Sequence, residues 1–277
     1  VQDALTEESY QNCITYEVNK GNLQLRQSLC SFLQKNRGVK CTPDNIIILS
    51  GTQYAMDILA DILPKRFYKI GMEEPGYDGM RQIFKNKGWQ ICPLPLTPDG
   101  IDANGLERSD CDLLYLTPSH QFPTGVTLSL SKRLQILQWA WRNHVTVIEN
   151  DYDSAFLYGQ RPLPAMQSMA SHNQVVYMDT LSKILTPELR CAYLVLPDPL
   201  LKTYEAKYRH HYSTHPVYLQ RALAAFIDSR LLERQARSSA LLSQHKCACV
   251  QTVLHRELPP SLCRCSQTPS GTDRKST

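Results

Sequence analysis

VVYMDTLSK, residues 175–183, is a run of four apolar residues that passes directly into a polar turn ending in lysine. LLYLTPSHQFPTG (113–125) and VTVIENDY (145–152) share this layout. Short apolar runs bounded by turn-forming residues are typical of buried β-strands. We therefore predict three strands, each of which ends in a segment rich in polar side chains.

Further runs of the same kind predict strands at IIIL (46–49), at residues 91–96 and at AYLVL (192–196). Amphipathic helices are predicted between the strands. One carries Ala55, Ile58, Leu59 and Ile62 at helical spacing, and another, over residues 129–143, has an apolar face that we assign to Leu130, Leu134, Leu137, Ala140 and Trp141. This alternation indicates an α/β fold with a mostly parallel, doubly wound sheet. Two long helices, over 199–211 and 217–241, follow, and we predict no strand after them.

Composition and charge exclude several classes of protein. The 277 residues suffice for one large domain with a partial second one. The net charge of +4 is mild and its basic residues are scattered, so it does not by itself indicate nucleic-acid binding. No apolar stretch approaches a membrane span and no signal peptide is visible, so we expect a cytoplasmic protein.

The chain has ten cysteines. Six of them are scattered, and we interpret these as small buried hydrophobes in a reducing compartment: Cys13, Cys30, Cys41, Cys92, Cys111 and Cys191. The other four form C-x-C pairs, at residues 247/249 and 263/265. Structural zinc sites usually space their cysteines more widely, so we predict no metal site.

Four polar segments follow predicted strands: SGTQ (50–53), SHQFPTG (119–125), ENDY (149–152) and TLSK (180–183). Ligands of open α/β sheets bind beyond the carboxyl ends of the strands. Each segment alone has an ordinary explanation, as a helix N-cap, a turn or a surface lysine. Their order and spacing carry more information than any one of them.

Together with GNLQLRQSL, EEPGYDGMR and TLSKILTPELRCAYLVLP, these segments resemble the aminotransferase-like domain of the MocR/PdxR transcription regulators. That domain belongs to the class I/II aminotransferases of fold type I. The resemblance runs from about Tyr16 to Glu257. It implies a large domain with a seven-stranded, mostly parallel sheet and a small C-terminal domain that is incomplete here. We expect a cofactor domain over 1–197, a linking helix with part of the small domain over 198–260, and a disordered tail over 261–277.

The family's cofactor is pyridoxal 5'-phosphate (PLP), and the resemblance implies where it binds. Lys183 would hold the cofactor as a Schiff base and act as the catalytic residue, while Arg190 would pair with the phosphate. Tyr77 would stack on the pyridine ring, and Tyr152 would form a hydrogen bond with the phenolic oxygen of the cofactor. The remaining contacts implied are backbone N–H groups and side chains at Gly51, Thr52, Gln53, Asn150, Thr180 and Ser182.

Three positions depart from the family pattern. Asn150 stands where the family has an aspartate that keeps the pyridine nitrogen protonated, so transamination should be slow unless Asp151 takes over. Asp179 and Glu188 stand where glycine is usual near the phosphate. A carboxylate there repels the phosphate unless it points to solvent or pairs with a base, so cofactor affinity should be weakened.

The resemblance leaves three hypotheses open. The chain is the sensor of a regulator that binds an amine or amino acid, a working aminotransferase, or a degenerate remnant without ligand. The family's winged helix-turn-helix, through which such regulators bind DNA, is absent from these residues, and we expect a piece of a longer or truncated gene. A homodimer is expected by resemblance, and no membrane association.

Overall fold

Eight strands form a single sheet in the computed structural model, which describes residues 16–64, 68–154 and 163–258. The sheet has the order β1-β8-β7-β6-β5-β2-β3-β4. The strands are β1 (Ile46–Leu49), β2 (Lys69–Glu74), β3 (Gln90–Thr97), β4 (Gly100–Ile101), β5 (Leu113–Leu116), β6 (Thr146–Asn150), β7 (Val175–Thr180) and β8 (Ala192–Val195).

Strands β7, β6, β5, β2 and β3 run parallel to one another, while β8 is antiparallel to both β7 and β1. The prediction of a mostly parallel sheet is confirmed. Its count of seven strands is exceeded by one, because the two residues of β4 turn back onto β3. The strand β2 was not predicted, and β3 is slightly longer than residues 91–96.

Helices cover both faces of this sheet, as a doubly wound fold requires. They are α1 (Leu23–Arg37), α2 (Thr52–Ile62), α3 (Asp78–Asn86), α4 (Ala103–Glu107), α5 (Leu130–Arg142), α6 (Met166–Met169), α7 (Asp198–Lys207), α8 (Val217–Asp228) and α9 (Leu231–Glu257). One apolar core joins α2, α3 and α7 to the sheet. On the other face, α1 and α8 belong to a second core and α5 and α6 to a third.

Two of the helix predictions need correction. The predicted helix over 217–241 is two helices, because the chain turns at Arg230, which has a left-handed φ of 59°. The buried face of α5 is also rotated from the predicted one. Leu137 and Ala140 are buried together with Arg133, Ile136 and Trp139, whereas Leu130, Leu134 and Trp141 are exposed. Burying Arg133 is possible because its guanidinium donates to three backbone carbonyls, those of Leu128, Pro164 and Pro118.

The cysteine prediction is largely confirmed where the structure describes it. Cys30, Cys41, Cys111 and Cys191 are buried free thiols, and Cys92 is half-buried. Cys13, the 263/265 pair and the predicted tail over 261–277 lie outside the described residues. Within the described ranges, no helix is both long and apolar enough to cross a membrane.

Candidate active site

The carboxyl ends of β6 and β7 bring together the central residues predicted for the site. Lys183 lies in the turn after β7, and its Nζ is 3.5 Å from Asp153 Oδ1. The same Nζ lies 5.0 Å from the centroid of the Tyr152 ring. The lysine side chain is 37% exposed, whereas that of Asp153 is 1% exposed. Lys183 is therefore reachable from solvent while its amine sits over buried polar groups.

A second cluster, at the end of β1, contains the predicted phosphate contacts. Gly51 precedes α2 with a left-handed φ of 91°. A Cβ atom placed on Gly51 would lie only 2.5 Å from Arg190 Nη2, so the guanidinium lies directly against this glycine. The first N–H groups of α2, including those of Thr52 and Gln53, have no acceptor within their own helix. A helix N-terminus beside an arginine is well suited to a phosphate group.

Gly51→Ala should weaken the binding of PLP. The new methyl group would displace Arg190 and strain the backbone, and we expect an affinity loss on the order of tenfold or more, because a hydrogen bond to a charged group is worth about 1.5–3 kcal/mol. The measurement is a fluorescence titration. Gly88→Ala is the matched control, since Gly88 has a similar φ of 83° with nothing within 4 Å of its added Cβ. Equal affinities of the two variants would contradict the assignment.

The two hydroxyl groups before Lys183 differ in their availability. Thr180 Oγ1 donates to the Cys191 carbonyl oxygen at 2.8 Å and accepts from the Ser182 N–H at 3.1 Å. Its proton is therefore used within the turn, not free for a phosphate as expected. Ser182 Oγ is buried and has no hydrogen-bond partner among the described residues. Of the two, Ser182 is the better donor to a ligand.

Tyr77, which is predicted to stack on the pyridine ring, lies immediately before α3. Its side chain is 39% exposed, and its ring contacts Phe122 edge-on with centroids 5.7 Å apart. Tyr152 uses its hydroxyl to donate to the His120 carbonyl oxygen at 3.1 Å. Phe122 and His120 both come from the SHQFPTG segment, so this segment lines the same edge of the sheet.

Among the residues that the structure describes, buried polar atoms without hydrogen bonds are concentrated around this edge. They include both ring nitrogens of His120, Asn150 Oδ1, both carboxylate oxygens of Asp153, and Ser182 Oγ. His120 Nδ1 is 3.4 Å from Asp153 Oδ2, within ion-pair distance but without hydrogen-bond geometry. Buried polar groups in native proteins nearly always have partners. A polar ligand would supply them here, so the residues present fit a PLP molecule.

Behind the site, Asp151 belongs to a buried network on the opposite face of the sheet. Arg37 Nε donates to Asp151 Oδ2 at 2.8 Å and Arg37 Nη2 donates to Oδ1 at 3.1 Å. Ser119 and Tyr177 donate their hydroxyl groups to the same carboxylate. Asp151 is thus fully engaged and directed away from Asn150. The condition under which Asp151 would replace the missing aspartate is not met.

The two unusual acidic residues near the phosphate end avoid repulsion in different ways. Glu188 is exposed to solvent. Asp179 is buried and accepts hydrogen bonds from the Tyr193 hydroxyl at 2.8 Å and the Thr180 N–H at 2.6 Å. Burial, and then the nearby Asp151 carboxylate, raise the pKa of Asp179 to about 8. A carboxyl group with this pKa is mostly neutral at pH 7, so Asp179 would not repel a phosphate group as an ionised carboxylate would.

Asp179→Asn should flatten the dependence of stability on pH. The unfolded carboxyl has a pKa near 3.8, so between pH 4 and 8 the folded protein holds a proton that the unfolded chain has lost. The free energy of unfolding therefore falls as pH rises through this window, by up to about 1.4 kcal/mol per pH unit. In denaturant titrations from pH 5 to 9, the free energy of unfolding of the variant should rise relative to that of the wild type as pH increases. Glu188→Gln, which removes an exposed carboxylate, should leave the wild-type slope; parallel curves for all three proteins would refute the assignment.

Sequence reasoning missed four residues that the structure places in or behind the site. His120 lies within the segment SHQFPTG and Asp153 directly follows the segment ENDY, so position at a strand end was the available signal. Tyr115 is hidden within the apolar run LLYL, and Arg37 ends a helix, where a basic residue is ordinary. For these two, only the tertiary arrangement shows their contacts.

Comparison with known proteins gives a consistent assignment. Residues 1–251 match the family described as aminotransferase class I and II. The uncharacterized HTH-type transcriptional regulator YdeL of Bacillus subtilis is 36% identical over 86% of this chain and 51% of its own length. The probable rhizopine catabolism regulatory protein MocR of Rhizobium meliloti is 35% identical over 79% of this chain and 45% of its own length.

A solved structure of Pyrococcus horikoshii kynurenine aminotransferase, in complex with PMP, superimposes with a TM-score of 0.84. It is 25% identical, and the match covers 94% of this chain and 67% of that one. The chain spans about half the length of the curated regulators it matches. From the extent of the family match and the agreement of the fold, the chain belongs to the class I and II aminotransferase family.

Proposed function

We propose that this chain binds PLP, holds it on Lys183 as a Schiff base, and serves as the amine-sensing domain of a transcription regulator. The observation that carries the proposal is the group of buried polar atoms around Lys183 that form no hydrogen bond to any described residue, with Arg190 against the N-terminus of α2. The regulators among its relatives favour the sensing role. When bound, PLP supplies an aldehyde that captures amines and a ring that withdraws electrons.

The chain's own residues divide the work at this site. Arg190 and the first N–H groups of α2 would bind the phosphate, and Tyr77 would stack on the ring beside Phe122. Asp153 lies 3.5 Å from Lys183 Nζ and holds the amine in place. An amine or amino acid that competes with Lys183 for the cofactor would change which groups Asp153 and His120 contact. A sensor needs such a differential contact in order to shift between two states.

The alternative function is that of an aminotransferase. The presence of Lys183, Tyr152 and Arg190 supports this alternative. Asn150 argues against rapid turnover because a neutral amide stabilises a protonated ring nitrogen less than a carboxylate does.

We further propose that the chain forms a homodimer in the cytoplasm. Contact with DNA would be made by a winged helix-turn-helix domain joined to this chain. Within this chain, residues 1–197 would form the cofactor domain, and residues 198–260 the linking helix with part of the small domain.

The test follows the visible absorption of the PLP-loaded protein during titration with a panel of amines and amino acids. A sensor changes its spectrum with selected amines and releases no 2-oxo acid. An enzyme converts amino acids to 2-oxo acids in repeated turnovers once a 2-oxo acid acceptor is added, and Asn150→Asp should then accelerate it. Absence of any spectral change, with PLP removed by simple gel filtration, would leave the remnant hypothesis.

A further inference from the structure

Asn150 and Tyr115 form a hydrogen-bonded pair on the floor of the candidate site. Asn150 ends β6, and Tyr115 lies on the neighbouring strand β5. Asn150 Nδ2 donates to the Tyr115 hydroxyl oxygen at 2.7 Å. The two residues are 5% and 3% exposed. Tyr115 also packs in the apolar core that includes α2, the helix whose N-terminus lies against Arg190. The pair is thus on the face of the sheet that carries the predicted phosphate contacts.

The oxygen end of the Asn150 amide is not hydrogen-bonded within the described part of the chain. Its Oδ1 is buried and accepts no hydrogen bond from any described residue. The oxygen and the nitrogen of a carboxamide are nearly identical in shape, so the hydrogen bonds around it decide which end faces a ligand. Because Tyr115 engages the nitrogen end, the end left for a ligand is the oxygen, which can only accept a hydrogen bond.

A pyridine nitrogen offers an acceptor when it is neutral and a donor when it is protonated. We propose that Tyr115 is a positioning residue that orients Asn150 so that Oδ1 accepts a hydrogen bond from the protonated ring nitrogen of PLP. The inference rests on the proposed cofactor site. It gives this chain a way to favour the protonated ring without the carboxylate that the family uses at this position.

The state of the Tyr115 phenol supports this role. Burial raises the pKa of Tyr115 well above its ordinary value, and the hydrogen bond from Asn150 offsets only part of this rise. The phenol therefore remains neutral over the working pH range. A neutral hydroxyl has lone pairs with which to accept the Asn150 N–H. A phenylalanine in its place keeps the ring that packs in the core and removes this acceptor alone.

The experiment measures the protonation of the ring nitrogen directly, by NMR of the protein loaded with PLP that carries ¹⁵N in the pyridine ring. In the wild-type protein at neutral pH, the resonance should lie at the pyridinium position. In Tyr115→Phe the amide is free to turn its Nδ2 toward the ring. The pKa of the ring nitrogen should then fall by about 1–2, the equivalent of one hydrogen bond to a charged group. In the double variant Tyr115→Phe/Asn150→Asp the pyridinium position should return, because either carboxylate oxygen accepts.

Tyr204→Phe is the matched control. It removes another buried phenol, whose hydroxyl donates to the Asn19 carbonyl oxygen at 2.9 Å, and should leave the resonance as in wild type. A ring nitrogen that is unprotonated in the wild type at neutral pH overturns the inference, even if Tyr115→Phe does not fold. Equal pKa values in Tyr115→Phe and Tyr204→Phe also overturn it. Either result leaves the proposed function standing, whereas a wild-type protein that retains no PLP refutes both.

Discussion

Replacing Lys183 by alanine should abolish the covalent retention of PLP. In the wild-type protein we expect an absorption band from the Schiff base, and borohydride should fix the cofactor irreversibly to the chain. A Schiff base with the protein requires a primary amine, and Lys183 Nζ is the amine 3.5 Å from Asp153 and 5.0 Å from the Tyr152 ring centroid. The variant should retain only reversible binding, through Arg190 and the N-terminus of α2.

The measurement combines absorption spectra, borohydride reduction and mass analysis of the digested protein. The added mass should be found on the peptide that contains Lys183. Lys40→Ala is a suitable control because Lys40 is an exposed lysine that bonds the Ala170 carbonyl oxygen, before β7 begins. It should behave as wild type. Labelling of another lysine, or unchanged retention in Lys183→Ala, would show that the anchor has been misidentified.

A location for the candidate site could be proposed from the sequence because it depends on where strands end, and strand ends leave local signals. IIIL and LLYL became strands with the predicted bounds, Ile46–Leu49 and Leu113–Leu116, since a short buried run has turn residues at both ends. The strand Lys69–Glu74 was missed because it contains three charged residues and a glycine. It forms through its pairing with β3 and β5. The pattern of apolar residues also does not show whether a strand runs parallel or antiparallel to its neighbours, so the antiparallel pairing of β8 was not predicted.

The buried hydrogen-bond network of Arg37 and Asp151 behind the site could not be predicted from the sequence, for a different reason. Arg37 and Asp151 are 114 residues apart, and each has an ordinary local explanation, at a helix end and at a strand end. The face to which Asp151 points follows from the alternation of side chains along β6, since Asn150 faces the other side. The sequence alone could not say that an arginine from α1 would meet it there. Burial of both charges is a property of the assembled fold.

Arg37→Met should therefore cause the largest loss of stability among the substitutions considered. The Arg37 and Asp151 side chains are 5% and 0% exposed. Removing the cation leaves Asp151 buried with only hydroxyl donors, and breaking a buried pair in this way costs about 3–5 kcal/mol. Arg37 also lowers the pKa values of Glu149 and Asp179, which burial raises to about 7 and about 8, so its loss would push both further upward. Neutral carboxyl groups at Glu149 and Asp179 would not balance the negative charge of Asp151.

Chemical denaturation at pH 7 measures this loss, with Arg142→Met as the matched control. Arg142 forms an exposed pair with Glu107 at 3.9 Å, and such pairs contribute about 0–1 kcal/mol. The double variant Arg37→Met/Asp151→Asn should recover part of the loss, because no unpaired charge remains buried. Because Asp151 adjoins both Asn150 and Tyr152, Arg37→Met should also weaken PLP binding. A loss no greater than that of Arg142→Met would show that the network does not hold this edge of the sheet in place.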